Sequence, residues 1–569
     1  FKPAISVIPT FTQADFPSQY TVDLGLSQNE DPLGLATATM RKAVIKLPNG
    51  VALSPGAADG LQSCSEAQIG VGSSSPPACP PASKLGEATL TTPALFGQLH
   101  GGIYLAGPES GSIGGLPFKV FLTLAGEGVM IKLPGTVEPN PVTGQITTTF
   151  AEDPQLPFSK LETQFTGGPR ATLSNPQACG EATTTTDLTP WSFPDAPEAT
   201  PFSSFVVTGC TSPTMLFAPV LDAGTVSPKA GGFSPFVLTL TRHDGEQDIG
   251  GLTVKMPPGL LGDLSSVPLC GEPQAREGKC SQESRIGSVT VAAGSGPQPL
   301  WLTGQAYLTG PYNGAPFGLS IVVPTKAGPF DFGNEVVRST ITVDPQTAAI
   351  TVASGPLPQI KDGVPLRLKT INVTVDRPGF IFAPTDCEPL AVRGTVTGAQ
   401  GATAAVSSPF QAVNCALLTF KPGFAVSTSG KTSRIDGASL TAKVTYPNAP
   451  VGSEANIAKV KVELPKKLPA RLTTLQKACT EKTFAENPAS CSAAARVGEA
   501  MAKTPVLPVP LSGPAYFVSH GGAKFPELVV VLQGDGVIVD LRGETFISKR
   551  TSRAPPSAGC PTFLSRASN

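Results

Sequence analysis

The residues best able to do chemistry in this chain are its eleven cysteines, and they fall in a repeating order. Cys64, Cys79, Cys179 and Cys210 come first, then Cys270, Cys280, Cys387 and Cys415, then Cys479, Cys491 and Cys560. Each full set is a close pair followed by a wider pair. The simplest assignment is five disulfides: Cys64–Cys79, Cys179–Cys210, Cys270–Cys280, Cys387–Cys415 and Cys479–Cys491. Closing a loop of about 15 residues is worth on the order of 3 kcal/mol. Zinc would need Cys-x2–4-Cys spacing or nearby histidine, and neither occurs. Free buried thiols are the other alternative. Paired cysteines imply an oxidising compartment, so export is expected. Cys560 is left without a partner.

Other reactive groups are sparse and do not recur. The three histidines, His100, His243 and His520, occupy different places, so a Ser-His-Asp or Cys-His site would have to be confined to one stretch. Asp244-Gly245-Glu246-Gln247-Asp248 is the best calcium candidate, because oxygen ligands at alternate positions can converge on a hard cation. It lacks the rest of an EF-hand loop, and a solvated hairpin turn is the plainer expectation. Asp376, Asp386 and Glu388 flank Cys387 and could be imagined as a glycosidase carboxylate pair, but Ala178 and Gly180 flank the corresponding Cys179. Trp191 and Trp301 could stack on sugar rings, although packing is the expectation for both. No phosphate-binding loop, HExxH helix or paired CxxC motif is present. No catalytic, metal or cofactor residue is therefore assigned, and the chain is expected not to be an enzyme.

What positions these groups is a unit that recurs about every 205 residues. Ala43–Leu53 reads AVIKLPNGVAL, Leu252–Gly262 reads LTVKMPPGLLG, and Val460–Ala470 reads VKVELPKKLPA. Lys84-Leu85-Gly86, Arg285-Ile286-Gly287 and Arg496-Val497-Gly498 follow in register, then Tyr104, Tyr307 and Tyr516. A shared tyrosine suggests a buried ring with its hydroxyl bonded to backbone. Units open at Phe1-Lys2-Pro3, Phe217-Ala218-Pro219 and Phe420-Lys421-Pro422, giving repeats 1–210, 211–415 and an incomplete 416–569.

Strict period-two alternation marks strands. Examples are Tyr20, Val22, Leu24 and Leu26; Phe236, Leu238 and Leu240; Leu440, Ala442, Val444 and Tyr446; and Val460, Val462 and Leu464. Polar turns at Gln28–Asp31, Asp244–Asp248 and Pro447–Pro450 follow the first strand of each. At the close cysteines, in segments such as Pro469–Cys479, a short helical cap stapled by its disulfide is expected, with Leu472, Leu475 and Ala478 spaced for one in the third repeat. A second run begins near the tyrosines with Phe118, Val120, Leu122 and Leu124; Phe317, Leu319, Ile321 and Val323; and Leu528, Val530 and Leu532. Its hairpin turns are expected at Val137-Glu138-Pro139, Val343-Asp344-Pro345 and Val539-Asp540, where acidic side chains can bond backbone. Each repeat is expected to be two small sandwiches, divided near residues 97 and 297 and at 502–510, the alternative being one large sandwich with an inserted cap. The fold class expected is all-β: a tandem array of antiparallel Ig-like β-sandwich domains with short disulfide-stapled helical caps.

Composition agrees with this scheme. Charged residues make up only 15% and net charge is −1, which gives no electrostatic case for nucleic acid or an anionic membrane surface. Sixty glycines and sixty prolines suit many short strands joined by tight turns. No apolar run reaches the length that spans a bilayer. Leu133-Pro134-Gly135-Thr136 matches half of a sortase signal, and Asn372-Val373-Thr374 satisfies a glycosylation sequon. The chain opens at Phe1, which suggests a segment of something longer or a processed form. Its tail after Ile547, KRTSRAPPSAGCPTFLSRASN, loses the repeat pattern, as truncation or a reading-frame error would produce.

The strings MPPGLLGDLSSVPLC, CSQESRIGSVTV and AAVSSPFQAVNC resemble very large, repetitive, uncharacterised exported proteins of high-GC actinobacteria. The resemblance runs to about Ile547 and implies a setting, not an activity. The function expected is a non-enzymatic, extracellular or cell-envelope repeat protein with a structural, spacer or adhesion role. Its contacts would lie in variable hairpin loops such as Asp244–Asp248, and its partner would be a cell-surface glycan or protein. The alternative is a carbohydrate-binding protein using exposed aromatics.

Overall fold

In a computed structural model the chain is almost entirely antiparallel β. The structure describes residues 1–547 except 30, 32, 109–116, 194–196, 211–214, 431–436, 448–451, 466, 467, 469, 470 and 523. Most of the turn expected at Pro447–Pro450, together with Cys560 and the aberrant tail, lies outside the described residues. Two compact units are distinguished: Phe1–Ala458 with Pro505–Pro508, and Lys459–Thr504 with Val509–Asn569.

The main sheet of the first repeat is built from eleven strands: β1 (Pro3–Pro9), β2 (Tyr20–Leu26), β3 (Met40–Lys46), β4 (Lys84–Thr91), β5 (Leu99–Leu105), β6 (Phe118–Gly126), β7 (Val129–Pro139), β8 (Ile146–Phe150), β9 (Lys160–Phe165), β10 (Gly180–Pro190) and β11 (Phe202–Val207). They form one antiparallel sheet in the order β1-β2-β9-β4-β5-β6-β7-β8-β3-β10-β11. The second repeat adds β12 (Val220–Thr225), β13 (Phe236–Thr241), β14 (Ile249–Lys255), β15 (Arg285–Ala293), β16 (Leu300–Thr309), β17 (Phe317–Ala327), β18 (Phe330–Val343), β19 (Ile350–Ser354), β20 (Leu368–Val375), β21 (Leu390–Gly398) and β22 (Thr403–Phe410). Their order repeats the first strand for strand.

The subdivision expected at residues 97 and 297 is corrected here. β4 pairs with β5 across residue 97, Leu90 opposite Leu99, and β15 pairs with β16 across 297, Ala293 opposite Leu300. The sheet avoids an open edge by curling: Val7 N donates to Ser203 Oγ at 2.9 Å, and Ala223 N donates to Ser408 Oγ at 2.9 Å. Ser203 on β11 and Ser408 on β22 thus bridge the first and last strands of each sheet, giving two barrel-like sandwiches. Their inward faces carry the alternating residues, with Leu24, Leu90, Leu122 and Leu124 buried in one and Leu238, Leu240, Val254 and Val396 in the other.

Five disulfides form: Cys64–Cys79, Cys179–Cys210, Cys270–Cys280, Cys387–Cys415 and Cys479–Cys491. The close pairs enclose helices Glu66–Ile69, Glu272–Glu277 and Glu481–Glu486. Each cap hooks onto the sheet at its first cysteine by a parallel pairing, Cys64 with Ala106, Cys270 with Thr309 and Cys479 with Val518. Ser65 and Gln68 complete a capping box at the first helix. The turn Leu472–Leu475 is helical but precedes the stapled loop.

In the second unit, Arg496–Ala502, Leu511–Ser519, Glu527–Gly534 and Val537–Gly543 with Cys479–Thr480 make a five-stranded sheet around Phe484, Tyr516, Val518, Val529 and Val531. Val539-Asp540 falls inside its last strand, and the turn is instead at Asp535-Gly536, both with positive φ. Val460, Val462 and Leu464 form no strand and are 43–55% exposed. The equivalent β14 is sandwiched between β19 and β21, and the described residues of the third repeat hold no such neighbours for Val460–Leu464.

Candidate functional site: the buried junction and the barrel interiors

Where the second repeat meets the first, two arginines converge on one carboxylate. Asp15, fully buried between β1 and β2, accepts from Arg242 at 3.1 Å and Gly245 N at 3.0 Å on one oxygen, and from Arg367 at 3.1 Å on the other. Arg242 follows β13 directly, at the position that Leu26 fills in β2. It is wholly buried, donating to the Leu368, His243 and Glu246 carbonyls and lying 2.7 Å from Asp248. Arg367 also donates to Ser174 Oγ and to the Asn175 and Gly50 carbonyls of the first repeat. Lys369 holds Asp244 at 2.7 Å.

Burial works against the Arg242 charge, but Asp15 and Asp248 more than offset it and hold its pKa above the ordinary guanidinium value. Burial raises the Asp248 carboxyl, with Arg242 opposing. Arg242 and Arg367 thus face Asp15 and Asp248, and the opposite charges offset part of the cost of burying them. Around it Tyr20 donates to Asn175 Oδ1 at 2.6 Å, and Asn175 donates to the Phe11 and Gln13 carbonyls.

This arrangement corrects the reading of Asp244–Asp248 as a solvated, protruding turn. Glu246 and Gln247 are buried, and Asp244 and Asp248 are held by cations of the protein itself. Among the described residues no group of three or more His, Cys, Asp or Glu is placed to hold a metal. The sequence carried a usable signal for the junction: an arginine at the fourth inward position of the run Phe236, Leu238, Leu240, Arg242.

The other candidates stand apart. Asp376 pairs with Arg285, and the exposed Asp386 accepts from Glu388 N, so these carboxylates form no catalytic pair. His100 lies 3.3 Å from Thr89, while His520 bridges Glu481 and Glu527 at 2.7 and 3.0 Å. Bonding to Glu481, then Glu527, raises the His520 pKa. Trp191 donates to the Asp153 carbonyl under the Arg41 guanidinium, whereas Trp301 is 56% exposed. Tyr307 donates to the Gln305 side chain at 2.6 Å, not to backbone as expected, and Tyr516 packs edge-on to Phe484. Asp344 does serve its turn, accepting from Gln346 and Thr347 N–H groups, which hold its pKa at about 2.

Each barrel encloses an apolar cavity, of about 290 Å³ in the first repeat and about 260 Å³ in the second. Eight strands close around an interior that side chains just fill, so eleven leave room at the centre. The hairpin between β17 and β18 reaches into the first cavity: Phe330 packs edge-on to Phe118 at 4.9 Å, and Phe332 lies beside it. Ala293, Leu302, Thr325 and Leu366 line both spaces. Asp153 lines the first; it is 8% exposed, its Oδ2 lacks a hydrogen-bond partner, and burial, then the Glu152 charge, push its pKa up to about 7.

No family model matches the chain, and no curated protein matches it. Among solved structures it is similar to the C-terminal domain of the Streptococcus pyogenes antigen I/II-family protein AspA, at 9% identity and a TM-score of 0.17, covering 72% of this chain and 99% of that one. It is also similar to the B domain of a biofilm associated protein, at 8% identity and TM-score 0.15, covering 72% and 86%. A partial N-terminal region of an enterococcal surface protein matches at 7% identity and TM-score 0.16, covering 72% and 94%. Superposition this weak carries no argument about function, so the reading below rests on the molecule's own geometry.

Proposed function

We propose that the chain is a non-enzymatic repeat protein with a structural, spacer or adhesive role in the cell envelope or outside the cell. The observation that carries this reading is the junction: a repeated barrel docks on its neighbour through a buried ionic centre, Asp15 held by Arg242 and Arg367, and an inserted phenylalanine hairpin. Such a joint transmits load and fixes spacing, and the candidate cation ligands Asp244 and Asp248 are paired with Lys369 and Arg242 in it. Five disulfides support export, since such bonds persist in oxidising compartments. The resemblance to exported repeat proteins of high-GC actinobacteria agrees with that setting.

Pulling the full chain by its ends in an optical trap tests the role. Each barrel should rupture in a discrete step, and reduction of the disulfides should lengthen the released segments. Extension without cooperative rupture would contradict a structural role. A carbohydrate-binding reading keeps exposed aromatic rings among the described residues, Trp301 on β16 and Tyr446. A glycan array probed with the wild-type chain, Trp301→Ala and Tyr446→Ala tests it, because absence of binding, or binding indifferent to both rings, counts against it.

A further inference from the structure

We infer that the interiors of the two barrels form a binding site for a lipid with one long hydrocarbon chain and an uncharged, hydroxyl-bearing head. Three features of the first cavity select that ligand. Its wall is mostly Leu, Ile, Val and Phe side chains, which favours a hydrocarbon occupant. An apolar cavity near 150 Å³ already stays dry and takes up benzene or xenon, and each of these is larger.

Its course is long. One end is set by Phe330, carried in from the second repeat, and the other by the loop Asp153–Phe158. The strand register puts these at opposite ends of the barrel. The β7–β8 turn lies against the second repeat, Gly144 beside Pro365, and β8 runs away from it toward Asp153. The cavity of the second barrel shares Ala293, Leu302, Thr325 and Leu366 with the first, so the apolar lining continues through the junction.

The third feature is Asp153 Oδ2, buried without a partner at the far end of this lining. An ionised carboxylate accepts from a hydroxyl and repels a carboxylate, so a long-chain alcohol should outcompete the fatty acid of equal length. Lys326 and Lys361 line the opposite end, where Asp331 and Glu335 already neutralise them. This inference is independent of the structural role proposed above and survives its failure.

The test uses the full chain at pH 8.5 with 1-N-phenylnaphthylamine as the reporting probe. Saturable fluorescence enhancement is expected, displaced by 1-hexadecanol at least tenfold more effectively than by palmitate. Asp153→Ala should bring the two competitors within about threefold while probe binding persists. Ala293→Trp, at the partition, should reduce probe binding at least fivefold. If that variant fails to fold, the wild-type melting temperature decides: 1-hexadecanol should raise it by several degrees. Non-saturable enhancement, or a melting temperature indifferent to 1-hexadecanol, overturns the site. Equal competition by alcohol and acid in the wild type overturns the assignment of the head group.

Discussion

Asp15 adopts a left-handed backbone, φ 52°, in order to place its carboxylate between two guanidinium groups. The second repeat has Gly231 at the equivalent place, and the first has Leu26 where Arg242 stands, so this ionic lock belongs to one joint and not to the repeat in general. Arg242→Leu leaves Asp248 buried without its cation. The expected loss is about 3–5 kcal/mol, read from urea unfolding of the full chain. A double-mutant cycle with Asp15→Asn should show measurable coupling, because the two side chains are in direct contact within one buried network. Asp153 supplies a different prediction. Its folded pKa of about 7 lies above the ordinary 3.8, so its contribution to stability is fully present below about pH 4. It is lost as pH rises toward 7 and amounts to something on the order of 4 kcal/mol. Asp153→Asn should flatten that part of the stability–pH curve, measured by denaturant titration at pH 4, 5.5 and 7.

Strands that were plain in the sequence found partners that were not. Alternation at Tyr20–Leu26 and Phe236–Leu240 identifies strands with one buried face, and both are present. Their neighbours, β9 and β20, come from more than a hundred residues away, and no local pattern encodes that pairing. Hence two small sandwiches were expected where one curled sheet forms. The serines that bridge its first and last strands were equally silent, since an isolated Ser in a strand carries no label. Ser408→Ala leaves the buried Ala223 N–H without its partner, at an expected cost of about 1–3 kcal/mol. Hydrogen exchange at Ala223 should accelerate correspondingly, while amides in β16 and β17 remain protected.

At the scale of the first unit, the hairpin carrying Phe330 makes one barrel part of the next barrel's core. Phe330→Ala should cost about 3–5 kcal/mol. It should also split a shared melting transition into two, seen by calorimetry, because the first barrel loses a core residue that the second one supplies. Transitions that stay coincident would show that the charged cluster alone couples the repeats.

By itself the sequence determined what depends on neighbours along the chain: all-β character from period-two alternation, tight turns from glycine and proline, and close cysteine pairs within reach of one another. Spatial packing alone decided that eleven strands close as one sheet, that the acidic loop Asp244–Asp248 turns inward to Arg242 and Lys369, and that apolar cavities with shared lining flank the joint. Those outcomes depend on which distant surfaces meet. Burial changes what a charge does: the same carboxylates that would be solvated on a free turn become counterions once water is excluded.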